Sequence, residues 1–147
     1  MMVRNSETDC KRVHQVERPL PSVTTDPKTG KNVVPPSAAL AQWKTWSYGE
    51  YYQDCRLAAR AMVALGLQAF DGVNIYGFNS PEWVMAQLSG IMAGGIAAGI
   101  YPSDTPEQVM YKSKHSSASI AVVESEKQLK IFLDNKVACM FVFVRAF

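Results

Sequence analysis

Motifs that bind phosphate or activate a nucleophile are incomplete or missing in this sequence. The triplet Thr29-Gly30-Lys31 resembles the end of a P-loop, but the upstream glycine of GxxxxGK[ST] is missing and Asn32 replaces the final serine or threonine. The glycine-rich stretch 90–99 contains no GxGxxG, and no GxSxG elbow occurs. We therefore predict a solvated turn at the triplet. The glycines of 90–99 are expected to allow a tight turn and close packing of a helix on a sheet.

The other polar side chains have simpler structural interpretations than catalytic ones. Glu50 and Asp54 lie four residues apart, as a carboxylate pair would on a helix, but Glu50 is expected to cap that helix and Asp54 to face water. His115 lies near a predicted helix end, where a positive charge suits the helix dipole. Trp83 and Tyr101 either line an apolar pocket or, as buried aromatic residues usually do, belong to the core. The sequence thus predicts no catalytic, cofactor-binding or metal-binding residue.

Length and composition are those of one globular domain with a core: 147 residues, 48% apolar and 19% charged. The net charge of +2 comes from scattered residues, so no nucleic acid partner is expected.

Cys10, Cys55 and Cys139 form no CxxC pair, which predicts reduced thiols and no metal site, with Cys55 as a small core residue. The first residues contain no apolar secretory segment. We expect a cytoplasmic protein, either free or at a membrane surface.

Apolar periodicity divides the chain into an irregular arm at 1–40, an ordered region at 41–136 and an apolar end at 137–147 that is a candidate strand. In the ordered region helices alternate with short, nearly continuous apolar strands, predicted near 73–77, 96–101 and 119–124. Such buried strands indicate a parallel sheet covered on both faces. The predicted fold class is α/β, an incomplete doubly wound, mainly parallel sheet.

Local signals predict where the helices begin and end. Ser47 and Glu50 fit a capping box, and Gly66 is a plausible stop for the first helix. The apolar face of this helix is predicted to contain Tyr51, Cys55, Ala58, Ala59, Met62 and Leu65. Caps followed by proline begin the next two helices, at Ser80-Pro81 and Thr105-Pro106, and a short fourth helix is expected at 126–135.

One stretch has two interpretations. Residues 83–103 contain no charge over 21 positions, which is long enough for a membrane span. The stretch is also rich in glycine and alanine, contains Gln87 and Ser89, and is interrupted by Gly94-Gly95, a natural helix stop. We favour a buried helix followed by a buried strand over a membrane span.

Several runs of sequence, in order, resemble the adenylate-forming enzymes, and most closely the bubblegum branch of the long-chain fatty acyl-CoA synthetases. The clearest is Gly77-Phe78-Asn79-Ser80-Pro81-Glu82-Trp83, which follows the pattern of that branch almost letter for letter. The other runs are 45–52, 55–60, 93–95, 99–101, 122–124 and 127–129. Together they cover about residues 40–135, so the resemblance implies that 41–136 is the N-terminal part of an AMP-binding-type domain.

The resemblance implies an enzyme that activates a fatty acid through an acyl-adenylate, using ATP and magnesium, and then transfers the acyl group to coenzyme A. The family places its phosphate loop, its Tyr-x-x-Thr-Glu segment, its ribose-binding aspartate and its lid lysine downstream of this region, and none of them occurs here. No catalytic or cofactor residue is therefore carried over. We expect an N-terminal fragment of the ligase that is inactive without the remainder of the enzyme.

The alternative is a short non-catalytic α/β protein that binds a lipid or a full-length homologue. In either case, a sheet that ends at 137–147 would have an apolar edge, for which self-association is the expected consequence.

Overall fold

Helices and strands alternate through most of the structure, a computed structural model that describes residues 12–16, 23–37, 39–135 and 140–143. In chain order the elements are β1 (Arg12–Val16), β2 (Thr24–Thr25), β3 (Asn32–Val33), a 3-10 turn (Leu40–Gln42), β4 (Lys44–Ser47), α1 (Tyr48–Ala64), β5 (Gly72–Tyr76), α2 (Pro81–Met92), β6 (Ile96–Ile100), α3 (Pro106–His115), β7 (Ala118–Val123), α4 (Glu126–Asp134) and β8 (Met140–Phe143). The chain divides into two compact units between Tyr51 and Tyr52.

The first unit contains two antiparallel strand pairs, β1 with β4 and β2 with β3. In the turn between β2 and β3, the carboxylate of Asp26 accepts hydrogen bonds from the Lys28 amide and the Thr29 hydroxyl, both at 2.8 Å. Gly30 has a φ of 66°, which glycine adopts without strain. The triplet that resembles a P-loop is therefore an exposed turn, as predicted. The lack of periodicity in 1–40 gives no indication of β1, β2 or β3.

The start of α1 confirms the predicted capping box. The Glu50 amide donates to the Ser47 hydroxyl at 3.3 Å, and the Ser47 amide donates to the Glu50 carboxylate at 2.8 Å. Each side chain thereby satisfies a backbone amide that has no partner within the helix. At the other end, Gly66 has a φ of 101° and stops the chain from continuing as a helix.

Acid is expected to loosen the start of α1 through Glu50. Hydrogen bonds from the Ser47 backbone amide and then from its hydroxyl hold the pKa of Glu50 below its ordinary value of 4.5. Because the pKa is lowered in the folded state, the stabilisation is fully present above pH 4.5 and is lost as the pH falls through the lower, folded-state pKa. The Ser47 amide shift in two-dimensional NMR spectra should follow this titration. Glu50→Gln keeps a side-chain acceptor without the titrating charge and should abolish it; an unchanged titration in the variant would contradict the assignment.

The second unit is built on a four-stranded parallel sheet with strand order β6-β5-β7-β8. On one face, α1 and α2 contribute Met62 and Ala86 to a core cluster that also contains Leu67, Val73, Ile75, Ile120 and Val122. On the other face, α3 and α4 contribute Val109 and Phe132 to a cluster with Tyr76, Ile100, Ala121 and Val123. Helices therefore cover both faces, which confirms the predicted α/β, doubly wound, mainly parallel sheet. β8 lies in the range 137–147 that was a candidate strand.

The predicted helix caps of the second unit are also confirmed. The Ser80 hydroxyl accepts from the Trp83 amide at 3.1 Å, with Pro81 at the first helical position of α2. Thr105 and Gln108 form a capping box at the start of α3. A further capping box, between Ser125 and Gln128, starts α4.

The glycines of 90–99 serve the packing and turning roles expected of them. Gly94 has a φ of 86° in the turn after α2. A Cβ added at Gly90 would lie 3.4 Å from the Val73 side chain, so this helix approaches the sheet closely. Nearby, the buried Ser89 hydroxyl shares its proton between the Met85 carbonyl of α2 at 2.5 Å and the Cys55 carbonyl of α1 at 3.0 Å.

Two burial predictions are wrong. Leu65, assigned to the apolar face of α1, lies just after the helix and is 36% exposed, while Leu67 is buried in its place. The strand β6 is not buried as a whole: Ile96 is 55% exposed and Ile100 is its buried residue. β6 lies at an edge of the described sheet, so an apolar run indicates a strand but not how many neighbours cover it.

The membrane-span interpretation of 83–103 is not supported by the described residues. Residues 83–103 contain most of α2, a turn and β6. None of the helices in the described ranges is long and apolar enough to cross a membrane.

Candidate functional site

The connections of the parallel sheet reverse direction between β5 and β7. The chain leaves β5 through α2 to reach β6, then returns through α3 to β7 and continues through α4 to β8. Because α2 belongs to one core cluster and α3 and α4 to the other, these connections lie on opposite faces. Open α/β sheets bind ligands outside the carboxyl ends of the strands at such a reversal. This edge of the sheet is therefore the candidate site.

A narrow crevice lies at the reversal and is closed by Glu124. Its carboxylate accepts a hydrogen bond from the Phe78 amide at 2.7 Å, and its own amide donates to the Tyr76 carbonyl at 3.2 Å. A Cβ added at Gly77 would lie 3.1 Å from the Glu124 Cβ, so glycine allows this close approach. The cavity that remains is about 20 Å³, enough for about one water molecule. The crevice thus joins two strand ends and leaves no space for a substrate.

A wider groove of about 270 Å³ opens beside the crevice, at the carboxyl ends of β5 and β6. The indole of Trp83 lies across Gly99, where an added Cβ would be 3.2 Å from Trp83 Cζ2. The groove is lined by Gly77, Asn79, Trp83, Gly99, Ile100, Tyr101 and Pro102. Apart from the Asn79 amide, the side chains of this lining are apolar or aromatic. Such a surface suits contact with an apolar or flat group better than acid–base chemistry.

Tyr101 is 70% exposed, so it does not belong to the core, which was one of the two alternatives for this residue. Its amide donates to the Asp104 carboxylate at 3.0 Å, and Lys112 forms an ion pair with the same carboxylate. The Lys112 ammonium also lies 4.8 Å from the centre of the Tyr101 ring. These contacts hold the ring at the rim of the groove. Trp83 and Tyr101 therefore both line this groove, which was one of the two alternatives left open by the sequence.

The other polar residues singled out from the sequence lie away from this edge or in structural positions. Cys55 is buried, and burial raises the pKa of its thiol, so it packs as a small core residue as expected. Asp54 is exposed on α1, and Glu50 is the capping residue. His115 is the last residue of α3, stacked on Tyr111 with ring centres 5.7 Å apart.

Metal ligands do not gather in the part of the chain that the structure describes. Within those residues there is no group of three or more histidine, cysteine, aspartate or glutamate side chains that could hold an ion. Cys10 and Cys139 lie outside the described residues.

Glu124 and Asn79 lie in runs that carry the family resemblance, but sequence reasoning did not predict either of them at a site. Glu124 follows β7 directly, and Asn79 lies three positions after the end of β5. A usable signal was available, since polar residues that directly follow buried parallel strands meet at one edge of a sheet. The hydrogen bond between Glu124 and the Phe78 amide could not be found in this way, because the two residues are 46 positions apart.

The family model described as "AMP-binding enzyme" matches residues 29–144, which is more than half of the chain. The chain belongs to the AMP-binding enzyme family. The matched range contains the parallel sheet, the point where its connections reverse and the groove beside that point.

Relatives within the AMP-binding enzymes agree with the resemblance seen in the motifs. The chain is 43% identical over 106 residues to the long-chain-fatty-acid–CoA ligase ACSBG2 of Xenopus laevis, a match that covers 72% of this chain and 14% of that protein. It is 45% identical over 92 residues to ACSBG2 of Rattus norvegicus, covering 63% of this chain and 14% of that protein. The chain therefore spans about 14% of the length of these relatives.

Solved structures support the fold. Apo MatB from Rhodopseudomonas palustris aligns with a TM-score of 0.65 at 24% identity, covering 72% of this chain and 21% of MatB. At this identity the likeness shows the fold alone. The α/β arrangement of the described residues is thus the fold of the matched part of MatB.

Proposed function

We propose that this chain forms the first α/β segment of the large domain of a long-chain fatty acid–CoA ligase of the bubblegum branch, an enzyme that activates a fatty acid through an acyl-adenylate. The observation that carries the proposal is the 43% identity over 106 residues to the long-chain-fatty-acid–CoA ligase ACSBG2 of Xenopus laevis. The family match over residues 29–144 supports it independently. The fatty acid would be a substrate of the whole ligase and not of this segment alone.

The residues that line the groove at the carboxyl edge of the sheet do not fit a nucleoside triphosphate with magnesium. Among the described residues, those that line the groove include no lysine, arginine, aspartate or glutamate. Beside it, the Asp104 carboxylate is already engaged by Lys112 and the Tyr101 amide. Charged phosphates need cations or a cradle of backbone amides, and metal ions need carboxylates. In this proposal ATP, magnesium and coenzyme A are therefore held by parts of the ligase outside the described residues.

The 147-residue chain alone is expected to form no fatty acyl-CoA. The test is a thioester assay with ATP, magnesium, coenzyme A and a long-chain fatty acid, with ACSBG2 of Xenopus laevis as the positive control. Circular dichroism on the same sample shows whether the chain is folded. Thioester formation above a no-enzyme control, abolished by omission of ATP, would show that these residues suffice for catalysis and would contradict the proposal.

The alternative, a short non-catalytic protein that binds a lipid or a homologue, predicts a different native product. The mass of the native protein, captured with an antibody against residues 45–135, separates the two. The ligase proposal predicts a product several times heavier than 16.2 kDa, because the relatives are several times longer than this chain. A stable native product of 16.2 kDa would favour the non-catalytic alternative.

A further inference from the structure

The helix α2 is apolar on the face that it buries and also on the face that it exposes. Its inner residues, which include Met85, Ala86 and Gly90, are buried. The outer residues Leu88, Ile91 and Met92 are 39%, 55% and 45% exposed. We call these three residues the outer face of α2. A helix that is hydrophobic all round belongs in the interior of a larger protein or in a membrane, not at a surface.

The outer face of α2 continues into a groove formed with α1. This groove has a volume of about 370 Å³ and is lined by Ala59, Arg60, Val63, Ala64, Met92 and Ala93. Val63 is itself 54% exposed. Single exposed apolar residues are normal, but several neighbouring ones on two adjacent helices mark a contact surface.

A membrane is a poor match for this surface. α2 has 12 residues, too few to span a bilayer. Amphipathic helices that lie on a membrane carry lysine and arginine on a polar face, and α2 has neither, its one charge being Glu82 in the first turn. The remaining match for a helix whose exposed residues Leu88, Ile91 and Met92 are all apolar is an apolar protein surface.

We infer that the outer face of α2, together with the groove beside it, packs against an apolar helix or sheet face of the same ligase that lies outside these 147 residues. The inference rests on the proposed function, because relatives several times longer than this chain supply the polypeptide that would cover the face. The absence of charged residues from 83–103 is then explained by the position of α2 in the interior of the complete domain.

Cysteine accessibility tests this packing without any need for catalysis. Ile91→Cys places a thiol on the outer face of α2, and Leu133→Cys on α4 is the matched control, since the two side chains are 55% and 56% exposed. Each variant is made in the 147-residue chain and in Xenopus laevis ACSBG2 whose matched segment has been replaced by this chain. Maleimide labelling is followed by peptide mapping, so that each thiol is read separately.

In the 147-residue chain both thiols should be labelled at similar rates. In the exchanged ligase the thiol of Ile91→Cys should be labelled at least about tenfold more slowly, and that of Leu133→Cys should keep its rate. Equal labelling of Ile91→Cys in both proteins would overturn the inference. So would protection already present in the 147-residue chain that depends on its concentration, because the covering partner would then be a second copy. Thioester formation by the exchanged ligase is scored separately, so loss of activity with protection intact counts against the proposed function and not against the packing.

Discussion

Replacing Phe132 by alanine is expected to lower the free energy of unfolding of the 147-residue chain by about 3–5 kcal/mol, the usual cost of removing a fully buried phenylalanine. Phe132 has no exposed surface and belongs to the core cluster that the sheet forms with α3 and α4. Its ring meets Tyr76 edge to face, with centres 6.3 Å apart. The substitution removes this contact and leaves a cavity that a close-packed interior cannot fill completely.

The neighbouring residue supplies the control for this substitution. Leu133 is on the same helix but 56% exposed, so Leu133→Ala should change stability by no more than about 0.5 kcal/mol. Urea denaturation followed by circular dichroism measures both variants. Losses of similar size would show that the cluster is not packed as the structure describes.

Replacing Gly72 by alanine is expected to cost about 3 kcal/mol or more, at or above the upper end of ordinary overpacking. A Cβ at Gly72 would overlap the carbonyl oxygen of Ser116 and approach Ala118 Cα to 3.0 Å. Both are backbone atoms, which cannot turn aside as a side chain can. The pairing of β5 with β7 already shifts register between Gly72 and Val73, so the clash falls where the two central strands meet.

Gly49→Ala is the matched control for Gly72→Ala. Gly49 lies in the first turn of α1, and the nearest atom to an added Cβ would be the Ser47 hydroxyl oxygen at 3.9 Å. Alanine is the better helix former, so this variant should be neutral or slightly more stable. Thermal unfolding of the two variants beside the parent chain gives the comparison. A tolerated Gly72→Ala would mean that the β5–β7 pairing differs from the one described.

The features predicted correctly from the sequence depend on residues close together in the chain. A helix cap involves positions three apart, so Ser47 with Glu50 and Ser80 with Trp83 can be recognised from composition and spacing alone. The alternation of helices with apolar strands likewise predicts a parallel sheet, because such strands need connecting helices on both faces. These local rules account for the element order from Tyr48 to Asp134.

The features that could not be predicted from the sequence depend on contacts between distant parts of the chain. The strand order β6-β5-β7-β8 places β6, with its exposed Ile96, at an edge of the described sheet. The candidate site depends on the same order, since it brings the ends of β5, β6 and β7 to one edge. The Glu124–Phe78 hydrogen bond and the position of Trp83 over Gly99 follow from that placement, and no short motif encodes either contact.

Exchange of this segment into a complete ligase tests the central claim most directly. The matched segment of Xenopus laevis ACSBG2 is replaced by the 106 aligned residues of this chain, and formation of long-chain fatty acyl-CoA from ATP and coenzyme A is measured. The same exchange carrying Gly72→Ala serves as a control for a disrupted sheet and should lose the activity. If the chain is a segment of such a ligase, the exchanged enzyme should work within about tenfold of its parent, a difference of about 1.4 kcal/mol in activation free energy. A folded exchanged enzyme, with parental mass and thermal stability but no thioester formation, would contradict the account.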